Sequence, residues 1–226
     1  AAWAKKVFPG LRTSVAMEKL WEAILFTSRV TEDPIKAWEE HNADLKARCD
    51  YLNSLGIESL HYTADNGTDL TVGMIAEGNW RGGGDESLQG IYFNPNMPTE
   101  EVFTTPMRGQ CEGRLVATKP LSWSGQLIDG FTVDFKYGKV YDCHAEKGED
   151  TLRQMFAMDE GAAMLGELAL VPKESPINQS GLMFYNTLFD ENACCHVAVG
   201  RGFNEVIDGF LDMSDEQLRE KGINAW

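Results

Sequence analysis

The sequence contains no apolar run approaching the roughly 20 residues that a bilayer-spanning helix needs, which argues against a membrane partner. It has no secretory leader pattern either: Ala1-Ala2-Trp3-Ala4-Lys5-Lys6 runs into no apolar stretch. There is no initiator Met, so the sequence is expected to be a segment of something longer. Cysteine is sparse and badly placed for cross-linking. Cys49, Cys111, Cys143, Cys194 and Cys195 are odd in number, two are adjacent, and no C-x-x-C occurs. That is neither a disulfide framework nor a zinc ribbon, and it fits the reducing cytoplasm, with cysteine used as a small apolar side chain. Basic residues are also short: 20 Lys and Arg stand against 35 Asp and Glu, for a formal net charge of −15. Such a chain repels phosphate backbones and anionic surfaces, so a nucleic-acid partner is not expected. Internal repeats, low-complexity tracts, a P-loop and the H-E-x-x-H signature are all absent.

What remains is an ordinary globular composition, with 226 residues of which 43% are hydrophobic. The first quarter reads as helical. Leu20, Trp21, Ile24 and Leu25 recur at helical spacing, and Asp33-Pro34 is a helix start with Asp as N-cap and Pro at the first helical position. Ile35, Trp38, Leu45, Cys49 and Leu52 then form an apolar stripe that includes His41 as a core histidine, and Gly56 ends the helix. From Ile57 the period changes to that of strands. Ile57–Tyr62 and Asp69–Ile75 flank the turn Asp65-Asn66-Gly67. Residues 77–90, with Gly82-Gly83-Gly84, read as a flexible loop. Strands are expected at 112–118, 130–135 and 139–144, with a tight turn at Lys136-Tyr137-Gly138. A helix is expected at 148–158, further strands at 166–171, 181–189 and 194–199, and a last helix begun by a Ser214/Gln217 capping box. The expected fold class is α+β: N-terminal helices followed by a mainly antiparallel β body with a few helices. The expected organisation is a helical segment, 1–56, leading into a metal-binding catalytic domain, 57–226.

Polar function concentrates in three apolar surroundings. In Pro98-Thr99-Glu100-Glu101-Val102-Phe103 a carboxylate precedes a strand-like pair. In Leu165-Gly166-Glu167-Leu168-Ala169-Leu170 a single carboxylate interrupts a buried-looking strand, which is costly unless it is paired or bound to a metal. In Asp190-Glu191-Asn192-Ala193-Cys194-Cys195-His196 two acids, an amide and a histidine precede an apolar run. Two Glu and a His suggest a divalent-metal site with oxygen and nitrogen ligands. The same residues are also compatible with structural roles: Glu101 in a surface salt bridge, Glu167 partly exposed, His196 hydrogen-bonded in the core. Cys194 and His196 share a strand face and are a conceivable nucleophile pair, although small residues packed in a strand account for them far better.

These blocks carry a resemblance. The chain resembles the M29 family of metallo-aminopeptidases from Trp3-Ala4-Lys5-Lys6-Val7-Phe8-Pro9, through Leu20-Trp21-Glu22-Ala23-Ile24, Trp38-Glu39-Glu40-His41 and Gly67-Thr68-Asp69-Leu70, to Thr99-Glu100-Glu101-Val102-Phe103-Thr104-Thr105-Pro106, Ala145-Glu146-Lys147-Gly148 and Asn186-Thr187-Leu188-Phe189-Asp190-Glu191-Asn192. The resemblance implies a peptidase acting on N-terminal residues through two divalent ions (zinc, cobalt or manganese), with Glu101, Glu167 and His196 as ligands. It also implies a peptide substrate, a cytoplasmic location and a homodimer. The family has a Tyr where this chain has Phe203, and a His-x-Asp ligand pair expected just past Trp226. On that basis residues 1–226 are expected to be inactive alone.

Within such an enzyme a carboxylate shuttles the proton of the attacking water. Glu191 and Glu100 are the candidates. An extended backbone sends Glu100 to the face opposite Glu101, which favours Glu191. Two other functions compete. A degenerate family member would be a non-catalytic binding or scaffold domain, and Phe203 gives that reading weight. A glycosidase would use Glu101 and Glu167 as its carboxylate pair.

Overall fold

A computed structural model describes every residue, Ala1–Trp226. The chain divides into two compact units, each assembled from three segments: residues 1–49, 82–102 and 170–196 in the first, and 50–81, 103–169 and 197–226 in the second. The change from helix to strand near residue 56 is real, but compactness divides the chain elsewhere.

The first unit opens with α1 (Ala2–Val7), α2 (Thr13–Thr27) and most of α3 (Pro34–Ser54). Asp33 starts α3 as its sequence implies, its carboxylate accepting from the Lys36 backbone N–H at 3.1 Å. The buried face of α3 is Trp38, His41, Leu45 and Cys49, whereas Ile35, at the start of the same stripe, is exposed. Trp21 and Leu25 of α2 are likewise exposed, while Ala16 and Leu20 face the core. That core joins Ala4, Ala16 and Leu20 to Ile177, Phe184, Phe189 and Ala193.

In the second unit, β1 (Ser59–Thr63) and β2 (Asp69–Met74) form a hairpin about the Asp65-Asn66-Gly67 turn. The first unit then contributes a short ladder, β3 (Asp85–Glu86) on β4 (Tyr92–Phe93), inside the segment expected to be loop. Next come β5 (Val102–Thr104), β6 (Pro106–Val116), β7 (Leu121–Trp123), β8 (Gln126–Lys136) and β9 (Lys139–Lys147). The main sheet runs β1-β2-β6-β8-β7, with β9 also paired to β8, and every one of these pairings is antiparallel. The β8–β9 turn is a two-residue one, with Tyr137 and Gly138 both at positive φ, the geometry that matches strand twist. At Gly113 (φ 114) a Cβ would lie 2.1 Å from the Asp69 carbonyl oxygen, so only glycine lets β6 close onto β2. After α4 (Glu149–Phe156) comes β10 (Leu165–Leu170), the centre of a three-stranded sheet between β5 and β11 (His196–Val199).

The apolar stretch 181–189 is not a strand. Between α5 (Pro176–Ser180) and α6 (Thr187–Glu191) the chain is irregular. The Asp190 carboxylate accepts from the Phe184 N–H at 2.7 Å and the Asn186 N–H at 2.9 Å, and Tyr185 takes a positive φ of 55°. These bonds give the backbone an alternative to a ladder. Phe184 and Phe189 are buried all the same, their rings stacked at 4.7 Å, while Leu182, Met183 and Leu188 are half-buried. The last helix, α7 (Asp215–Glu220), has the full capping box: the Ser214 hydroxyl accepts from the Gln217 N–H and the Gln217 side chain accepts from the Ser214 N–H. Observed helices and antiparallel strands give the α+β class the sequence implies. No helix is long and apolar enough to cross a membrane.

Candidate metal centre

Three strands supply the three residues singled out in the sequence. Glu101 immediately precedes β5, Glu167 is the third residue of β10, and His196 is the first of β11. Each offers a ligand atom; Glu101 and His196 belong to the first unit and Glu167 to the second. Glu101 is buried, with 6% of its surface exposed, so it is not part of a surface salt bridge. Glu167 and His196 are half-buried.

The tightest pair lies inside the first unit. Glu101 Oε2 stands 3.0 Å from His196 Nε2, yet this oxygen is buried and accepts no hydrogen bond. His196 Nδ1 lies 3.0 Å from the Cys194 carbonyl, to which it donates its proton. That bond sets the tautomer and leaves the Nε2 lone pair turned toward the carboxylate. A carboxylate oxygen and an imidazole lone pair both want a cation. Their 3.0 Å separation is less than twice the metal–ligand distance of about 2.1 Å, so one ion reaches both. Burial makes the bare Glu101 oxygen costly without such a partner. By donor type, spacing and burial, the residues fit a divalent ion.

Glu191 ends α6 in the same unit. Its carboxyl is pushed up to about 7, first by burial, with the Glu101 and Asp190 carboxylates adding to the rise and His196 opposing it. A carboxyl that ionises near neutrality is suited to accept and return a proton. Glu100, the other candidate for that role, goes elsewhere. Its carboxylate is buried in a two-point pair with Arg29, the Nη2–Oε2 bond measuring 2.8 Å. His41 is the core histidine expected of it: Nε2 donates to the Thr99 carbonyl at 2.7 Å, and burial chiefly lowers its pKa.

Sequence reasoning missed several residues. Gly82, read as part of a flexible loop, lies against the Glu101 backbone, where a Cβ would come within 2.7 Å of the Glu101 carbonyl oxygen. Asn192 is wholly buried, and its side-chain oxygen accepts from the Glu100 N–H at 2.7 Å. Arg29 carried no motif at all. The one available signal was the doublet Glu100-Glu101 beside apolar residues, which demands a cation if buried. In the second unit, Phe203 packs on Phe103 with ring centroids 4.8 Å apart and is 36% exposed.

A buried oxygen-and-nitrogen donor pair, with a nearby carboxyl that burial pushes up to about 7, is chemically suited to hold a divalent cation. The comparisons agree: the family described as thermophilic metalloprotease (M29) matches residues 1–225, and the chain belongs to that family. It is 48% identical over 224 residues to Aminopeptidase 2 of Geobacillus stearothermophilus, covering 99% of this chain and 54% of that protein. It is 47% identical over 225 residues to Aminopeptidase AmpS of Bacillus subtilis (strain 168), covering 99% and 55% respectively. The solved structure of wild-type AmpT from Thermus thermophilus superposes with a TM-score of 0.90 at 44% identity, covering 98% of this chain and 53% of that one. The chain thus spans about half the length of the relatives it matches.

Proposed function

We propose that the intact protein is a metal-dependent aminopeptidase that removes the N-terminal residue from peptides. The observation that carries this reading is the buried Glu101 Oε2, which stands 3.0 Å from His196 Nε2 and accepts no hydrogen bond. Membership of a metalloprotease family whose relatives are named aminopeptidases supports it. In this reading Glu101, Glu167 and His196 hold part of a site for two divalent ions, with zinc, cobalt and manganese all suited to such ligands. Bound ions supply an acidified water and an electrophile for the scissile carbonyl. Glu191 accepts the water's proton and hands it to the leaving amine, the role its raised pKa suits. Glu101 and His196, fixed by burial and by the bond to the Cys194 carbonyl, hold their donor atoms in place without reorganising. The free N-terminus of the peptide, a cation, suits a site that carries carboxylates. A cytoplasmic homodimer is the matching proposal for the intact molecule.

The decisive test is Glu167→Gln in the full-length protein. The change keeps size and hydrogen-bonding capacity and removes the charge. Metal content and hydrolysis of an aminoacyl chromogenic amide should both fall, and acetylating the substrate amine should abolish turnover by the wild type. Full activity and full metal content in the variant would make Glu167 structural. Cleavage of acetylated peptides at internal bonds would exclude an aminopeptidase. Phe203 favours a second reading, a non-catalytic family member that acts as a binding domain. Bound metal with no turnover on any aminoacyl amide would select it.

A further inference from the structure

Glu100 and Glu101 are neighbours in sequence, both buried, and their carboxylates go to different places. Glu101 faces His196, and Glu100 faces Arg29. We propose that Arg29 and Glu100 form a buried clamp that sets the position of Glu101 for metal binding. This rests on the reading of Glu101 as a ligand.

Arg29 sits just past α2 in a backbone conformation that non-glycine residues rarely adopt, at φ 54. The turn that holds it there is bonded on both sides. The Val30 N–H donates to the Leu25 carbonyl at 2.9 Å, and Trp38 Nε1 donates to the Ser28 carbonyl at 2.9 Å. From this turn the guanidinium reaches inward to both oxygens of Glu100, whose side chain is 3% exposed. A planar fork bonded at two points fixes direction as well as distance, which a lysine would not do.

The backbone of the same segment is pinned twice more. The Thr99 carbonyl accepts from His41 Nε2, and the Glu100 N–H donates to Asn192 Oδ1. Asn192 is itself immobilised, its Nδ2 donating to the Leu188 carbonyl at 3.0 Å and its own carbonyl accepting from Ser175 Oγ at 2.6 Å. Residues 99 and 100 are therefore held at a carbonyl, an N–H and a side chain. The next residue carries the buried carboxylate oxygen that has no hydrogen bond. A segment fastened so closely on one side of a bare ligand atom is a splint. Arg29 supplies its only charged hold and neutralises Glu100, so that Glu100 does not compete with Glu101 for a cation.

The test uses the full-length protein and reads zinc affinity by competition with a chromogenic chelator. Arg29→Gln with Glu100→Gln removes both charges together, so no uncompensated buried charge remains, while the fixed fork is lost. The affinity should fall about 10–100-fold, the usual effect of removing a partner that orients a ligand. A purely structural clamp would lower the thermal midpoint of the chelator-treated protein and leave the affinity of the folded protein unchanged. Glu101→Gln runs in parallel and should abolish binding. If it does so while the double variant binds zinc as the wild type does, the clamp is overturned and the site reading stands. If Glu101→Gln itself binds zinc normally, the site reading falls and the clamp with it. Should the double variant not fold, Glu100→Gln alone, which keeps Arg29 as a one-sided donor, is read by the same criteria.

Discussion

Glu191 gives the sharpest quantitative expectation. Its carboxyl ordinarily ionises near 4.5, and in this environment it is pushed up to about 7, chiefly by burial. Between those two values the folded protein holds a proton that the unfolded chain releases. Stability must then fall as pH rises through that window, and the penalty is complete above the folded pKa. At about 1.4 kcal/mol per pH unit the gap corresponds to a ceiling of about 3 kcal/mol, reduced in practice because the side chain is only half-buried and partly screened by water. The perturbation is Glu191→Gln, which stays neutral at every pH. In chelator-treated full-length protein, the variant and the wild type should unfold at similar temperatures near the acid end of the window. The variant should become progressively the more stable one up to about pH 7, and the difference should then level off. Chelation matters, because a bound cation would favour the ionised carboxylate and shrink the effect. A thermal-midpoint difference that does not change across the window would refute the claim that burial and neighbouring carboxylates hold this proton. The same substitution should remove most turnover in the metal-loaded enzyme with little change in zinc affinity, since the group that resists ionisation is the one assigned to accept the proton.

Two further changes test the supports of the site. Gly82→Ala places a methyl 2.7 Å from the Glu101 carbonyl oxygen, so the backbone must move; about 1–3 kcal/mol of stability should be lost to overpacking, together with zinc affinity, and unchanged affinity would show that the segment absorbs the shift away from Glu101. Asp190→Ala removes the acceptor of the Phe184 and Asn186 N–H groups; it should cost about 2–4 kcal/mol in denaturant unfolding. It should also lower the Glu191 pKa, because the Asp190 charge raises it, and a higher or unchanged Glu191 pKa would contradict that electrostatic picture.

What the sequence showed and what it hid divide along a physical line. Elements with a local cause were legible. Asp33-Pro34 starts α3, the Ser214/Gln217 box starts α7, and Lys136-Tyr137-Gly138 turns β8 into β9, because each depends only on neighbours a few residues away. The stretch 181–189 was misread for the same reason. Of its apolar residues Phe184 and Phe189 are buried, and Asp190, just beyond them, captures the N–H groups of Phe184 and Asn186 and bends the backbone. The two buried residues are five apart, not at a strand's spacing of two, and the hydrogen-bond partner decides the conformation. The stripe on α3 shows the complementary error: Ile35 fits the spacing and is exposed, since spacing says which residues share a face and not how far along the helix that face is covered.

The site divides in the same way. Glu101, Glu167 and His196 stand out in the sequence as separate residues through the cost of a carboxylate in apolar surroundings and through resemblance, and within the first unit Glu101 and His196 lie 3.0 Å apart. Their supports could not be read, because each acts over a long stretch of chain. Arg29 lies 71 residues from Glu100, and Asn192 lies 92 residues from the N–H it receives. Neither carries a spacing rule, and an arginine after a helix is most often a solvated one. Charge balance is the signal that remained. Two consecutive glutamates followed by Val102-Phe103 require, if both are buried, either two cations or one cation and a metal. Arg29 fills the first place. In the proposed site the bare oxygen of Glu101 leaves the second to an ion, so that Glu100 is a structural carboxylate and Glu101 a proposed ligand although the two are chemically identical and adjacent. What separates their roles is which group the fold sets opposite each, a guanidinium for one and an imidazole for the other.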